Sequence, residues 1–466
     1  MAYNVNTAGA TVTLTSAYTT ITGTANTDVI TLAAAGNTVT VESLDTLTGA
    51  ANTDIVTLSA VGNTMVVAGT IESLIGGANT DIITFAASGA TVAVGGSIET
   101  LAGGANTDVV ALAATGATVT LTGTFESLAG SANTDIVTLA VVGNTIAVSG
   151  TIESLAGGAN TDIITLAATG NTVAVSSIET VYGGANTDVV TLSAVGNTIA
   201  VSSIEVLVGG ANTDIVTLSN AGSTITVSGV EALTTIGSNT DIVTLGASGN
   251  TITLTGNFES LTGGANTDVV TLGAAGNTIT VSGTIETLAG GANTDVVTLA
   301  ASGATVLVSS IESLAGSANT DVVTLGALGN TISVTGAIEG LAGGANTDIV
   351  TLGNAGNTII VTGTIETLAG GANTDVISVF ATGATLLVTG IESLSGSANT
   401  DVVTLGAGNN SIIVSSVETL AGGANGDWVT LGAAGNTIAV SGVETLRGGA
   451  NTDVVTLGNA GNTLIL

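Results

Sequence analysis

Carboxylates are the only chemically reactive side chains this chain holds in number, and they keep a fixed spacing. Aspartate recurs at Asp28, Asp54, Asp81, Asp108, Asp135, Asp162, Asp188, Asp214, Asp241, Asp268, Asp295, Asp321, Asp348, Asp375, Asp401, Asp427 and Asp453, always 26 or 27 residues apart. A glutamate stands nine residues before most of them, from Glu72, Glu99, Glu126, Glu153 and Glu179 on to Glu444; Glu231 stands ten before, and Asp45 takes the place in an early repeat. Hard carboxylate oxygens beside glycine-rich backbone suit a divalent cation that takes oxygen ligands. Two carboxylates per repeat match the charge of one such ion.

The rest of the composition narrows the chemistry. The formal charge is −33, from 34 acidic residues against a single arginine, Arg447, with no histidine and no cysteine. Nucleic acid and anionic membranes are poor partners for such a surface, and cations are natural ones. General acid–base catalysis is short of groups, and identical carboxylate pairs in every repeat make none special, so an enzyme is not expected. The N-terminal MAYNVNTAGATVTL has neither a basic region nor an apolar core, so it does not read as a signal peptide. Polar residues interrupt every apolar run, so no membrane insertion is expected.

What positions the carboxylates is the repeat. In DVVTLGAAGNTITVSGTIETLAGGANT, starting at Asp268, three short β-branched runs alternate with Gly, Ala, Ser and Asn corners. Such runs read as strands and turns. The expected fold is all-β: a parallel β-solenoid with three strands per 26–27-residue coil, about 17 coils in one elongated domain spanning 1–466. The first coil would occupy about 1–27, and an incomplete last one about 453–466. Alternation points Val270, Leu272, Ile279, Val281 and Ile285 inward. Asn277 and its equivalents would stack as an amide ladder, while Asn26, Asn52, Asn79 and Asn106 would hold left-handed turn positions. Coils of 26 differ from coils of 27 by one corner residue, SSIE against SGTIE, which preserves strand register.

If each repeat were one coil, the aspartates would stack about 4.8 Å apart and repel by about 0.9 kcal/mol per neighbouring pair at the dielectric of water. Summed over the array this is on the order of 14 kcal/mol, comparable with a domain's net stability and only reduced by salt.

The stretch GGANTDVVT, 263–271, resembles the hemolysin-type (repeats-in-toxin) calcium-binding nonapeptide GGxGxDxUx, with Asn266 at the third glycine and Val270 at the large apolar position. The resemblance implies a right-handed β-solenoid, export without an N-terminal signal, and calcium held between turns by glycine carbonyls and the Asp. On that basis the candidate metal ligands are the sixteen aspartates other than Asp241, whose segment EALTTIGSNTD lacks the Gly pair. Only one nonad in three keeps the Asp; GAAGNTITV, 273–281, has Thr278 instead. The alternative is that each Asp caps a turn by accepting backbone N–H bonds, with the glutamates forming a solvated face.

These readings converge on an extracellular or cell-surface structural protein of bacteria. The chain opens on a first strand, and GNTLIL, 461–466, closes it after a second, without polar caps. Such ends suggest head-to-tail self-assembly into filaments, a surface layer or a matrix, stabilised by calcium, with lateral bundling through outward Val and Ile. Ice binding through outward Thr columns, beginning at Thr31, Thr57 and Thr84, is the alternative. Trp428, at an outward Val position, reads as tolerated or an interface contact, and Arg447 as a local partner of Glu444.

Overall fold

The computed structural model describes residues 1–466 apart from 8, 87, 88, 114, 141, 220, 221, 238, 301, 302, 381, 382, 459–461, 466 and the side chain of 464. The chain divides into two compact units, Met1–Ala232 and Leu233–Leu466, built in the same way. It is an all-β parallel β-solenoid of about 25 turns, with short strands and no helix among the described residues.

Within each unit, strands pair with the strand two places further along, in parallel. Ile82–Phe85 pairs with Thr100–Ala102, while Thr91–Gly95, which lies between them in sequence, pairs with Val109–Leu112. One turn therefore holds two strands, one in each of two facing sheets, not three. Hydrogen-bonded partners on successive turns are mostly 17 to 20 residues apart. The 27-residue repeat is thus one and a half turns, and two repeats fill three. The expectation of 17 three-stranded coils is corrected accordingly.

A physical reason favours two sheets. Strands of three to five residues carry mainly Val, Ile and Leu inward, and the chain has 4 Phe and 1 Trp. Medium-sized side chains fill the roughly 10 Å between two facing sheets, whereas a three-sided coil encloses a wider space. The alternation itself holds: Val270, Leu272, Ile279, Val281 and Ile285 are all buried. In the first unit Phe85 and Phe125 meet edge to face across the core, with centroids 6.2 Å apart.

Backbone crowding between turns dictates glycine. A Cβ at Gly103, the first residue of the GG pair, would lie 2.1 Å from the carbonyl oxygen of Thr124 on the next turn. Positive φ falls not on Asn26, Asn52, Asn79 or Asn106 but mainly at two other corners: on glycines just before a strand-opening Asn or Ala, as at Gly36 and Gly116, and at the corner after the five-residue strands. That corner is glycine, as at Gly150 and Gly283, or one of five serines, Ser43, Ser177, Ser203, Ser310 and Ser416, with φ of 51–53°. The Asn side chain reaches back instead, as Asn79 Nδ2 donates to the Ala60 carbonyl of the preceding turn.

Candidate functional site

Since a repeat spans one and a half turns, successive aspartates emerge on opposite edges of the solenoid. In the first unit one edge carries Asp28, Asp81, Asp135 and Asp188 and the other Asp54, Asp108, Asp162 and Asp214. In the second unit the sets are Asp241, Asp295, Asp348, Asp401 and Asp453, and Asp268, Asp321, Asp375 and Asp427. Same-edge aspartates are three turns apart, roughly 14 Å at the spacing of parallel strands. Aspartates are therefore not stacked on every turn as expected; the carboxylate on the turn after each Asp is a glutamate.

Each edge instead reads Asn, Asp, Glu on consecutive turns. Asn63, Asp81 and Glu99 show the pattern. Asp81 Oδ1 accepts the backbone N–H and the Nδ2–H of Asn63, both at 2.9 Å, and its Oδ2 accepts Gly77 N–H at 2.7 Å. The Asp81 N–H then donates to Glu99 Oε2 at 2.7 Å. The unit recurs at Asn144, Asp162 and Glu179 and at Asn277, Asp295 and Glu312. The asparagines therefore bind aspartates rather than forming an amide ladder. The glutamates are hydrogen-bonded to the turn before them, not merely solvated, and lie on the same edge as the aspartates they bond.

Nearly all the aspartate side chains are buried, Asp81 and Asp108 completely. A carboxylate so placed needs hydrogen-bond donors or a counter-charge. Here the donors are the chain's own N–H groups, in good charge-assisted geometry. Where alanine replaces the asparagine, at Ala10, Ala90, Ala117, Ala304 and Ala384, its backbone N–H alone still donates to Oδ1. Burial pushes the Asp28 carboxyl up, but hydrogen bonds from Thr24, Ala10 and Gly9 outweigh it and hold it below the usual carboxylate range. The Asn436 amide, with the Gly449 and Asn436 N–H groups, lowers Asp453 against a smaller opposing effect of burial.

This arrangement does not fit calcium at the aspartates. Calcium takes six to eight oxygens, yet both oxygens of Asp81 already face N–H donors, which point positive charge at the space an ion would fill. Among the described residues no group of three or more acidic side chains gathers in a metal-holding cluster. The chemistry of the edges is that of a turn-to-turn clamp. Sequence reasoning missed the clamp although its signal was present: Asp268, Asn277, Glu286 and Asp295 stand nine residues apart, one half turn each.

The outer faces are mixed. A column along one face runs Ile82, Thr100, Thr120, Thr138 and Ala156, and Thr138, three turns from Ile82, lies two residues past Ile136, the repeat equivalent of Ile82. Register slides by two residues every three turns, so no uniform Thr column forms. Trp428 is about half exposed, at 52%, and Arg447 has no ion-pair partner among the described residues, Glu444 included. Comparison with family models, with curated proteins and with solved structures returned no match to the chain.

Proposed function

We propose that this chain is a structural repeat protein of the bacterial exterior, a scaffold whose copies join head to tail into filaments, a surface layer or a matrix. The observation that carries the reading is the fate of the carboxylates. The only reactive side chains present in number are consumed in fastening one turn to the next, so they serve cohesion rather than substrate. Assembly is supported by the parallel ladder between turns, a contact that a second copy can extend. The nine-residue half turn supports kinship of design with the repeats-in-toxin nonapeptide, with asparagine and backbone N–H groups doing at the aspartates what a cation does there.

Negative-stain electron microscopy of purified protein in chelator and in millimolar calcium tests both parts. Filaments in both samples support the proposal. Filaments only with calcium would return the ion to the assembly step and refute cation-free cohesion, and dispersed particles in both would refute self-assembly. Circular dichroism and thermal unfolding in the same two buffers should coincide.

A further inference from the structure

The single tryptophan and the single arginine, 19 residues apart in sequence, meet on one outer face of the second unit. Trp428 pairs with Thr445, and Thr430 with Arg447, on adjacent strands. All four side chains occupy outward positions, so they form a two-by-two patch whose diagonal, from Trp428 to Arg447, spans about 8 Å between Cα atoms. The ring of Trp428 replaces the usual Val or Ile and the guanidinium of Arg447 the usual Ala, while Thr430 and Thr445 keep the hydroxyls usual at their places.

The corner leading into this patch is altered in a coordinated way. Elsewhere a glycine on one turn lies against a threonine on the next, as Gly435 does against Thr452. Only here is the glycine replaced, by Asn409, and only here is the threonine replaced, by Gly426. The two lie close together: a Cβ added to Gly426 would stand 3.8 Å from Asn409 Oδ1, with nothing nearer. Sterics do not require glycine at 426, and its φ is not positive. The exchange leaves position 426, two residues before Trp428, without a side chain and puts an exposed amide at Asn409, two residues before Ser411, which pairs with Trp428.

We propose that Trp428, Arg447, Thr430, Thr445 and Asn409 form a binding site for a neutral glycan. A pyranose presents an apolar C–H face to an aromatic ring and hydroxyls around its rim, which the guanidinium, hydroxyls and amide can engage. The patch spans one hexose. Charge selects neutral over acidic sugars, because 34 carboxylates against one arginine repel a polyanion. The site goes beyond the structural role and does not depend on assembly.

Trp428 is the chain's only tryptophan, so its fluorescence reports this site alone. The full chain is titrated to about 20 mM, as millimolar affinity demands, with cellohexaose, maltohexaose and laminarihexaose, and separately with a polygalacturonate fragment. A saturable emission change with at least one neutral hexasaccharide is expected. Affinity electrophoresis in the matching polymer should show retardation lost in Trp428→Val and weakened in Arg447→Ala, both of which restore the usual repeat residue and so should fold. No emission change with any neutral sugar, retardation unaltered in Trp428→Val, or tighter binding of polygalacturonate would each overturn the assignment.

Discussion

Repeat length determines which corners admit a side chain, and the consequence can be measured at two glycines. Gly283 and Gly442 occupy the same left-handed corner, with φ of 69° and 65°. After Gly283 the longer repeat inserts Thr284 before the buried Ile285, whereas Gly442 runs directly into the buried Val443. A Cβ on Gly283 would lie 2.4 Å from the Gly263 carbonyl oxygen, but one on Gly442 would stand 3.6 Å from that of Gly422. The five left-handed serines all sit in the shorter form. Serine at 442 costs about 1 kcal/mol of left-handed strain, offset by about 0.4–1 kcal/mol from a stiffer unfolded chain, so Gly442→Ser should be near neutral. Gly283→Ser adds a clash with backbone that cannot rotate away, about 1–3 kcal/mol of overpacking. Both positions share a unit with Trp428, so urea unfolding followed by its fluorescence reads them together. With a slope of about 3 kcal/mol per molar, Gly283→Ser should lower the midpoint by roughly 0.7 M and Gly442→Ser by far less. Equal midpoints would refute the argument that corner length governs the choice.

Asp108→Asn would turn an amide toward the N–H of Ala90 or Gly104, which now donate at 2.7 and 2.6 Å; a cost of about 2–4 kcal/mol is expected, read as faster hydrogen exchange at those two amides. Glu126→Gln keeps a carbonyl oxygen for the Asp108 N–H at an exposed position, so its effect should stay below about 1 kcal/mol. Asn277→Ala should cost about 1 kcal/mol, since five repeats already use alanine at this place and retain the backbone donor. Acid should destabilise the chain in a defined window. Asp28 and Asp453 have lowered folded-state values, so their contribution is fully present above the unfolded carboxylate value of about 3.9 and is lost as pH falls below it through the folded ones. Urea midpoints measured from pH 6 to pH 2 should therefore be flat at first and fall only below about pH 4.

Strand content and facing were legible because a period of two in short β-branched runs reports burial directly: Val270 and Leu272 could point only one way once the core was apolar. Turn size was not legible in the same manner. Side-chain identity repeats at 27 residues, but the distance around the solenoid is set by two strands and two corners, and identity returns to the same edge only after both periods coincide. The carboxylates show why this matters for function. Placed one per turn, aspartates would face one another; placed one per three turns on each edge, between an asparagine that donates and a glutamate that accepts, each has its oxygens met by N–H groups. An odd number of half turns per repeat is thus what lets a chain with 34 carboxylates and one arginine bury aspartate after aspartate in its own N–H groups. Ala90 and Gly104 already meet both oxygens of Asp108, and removing either donor would leave a buried charge underbonded.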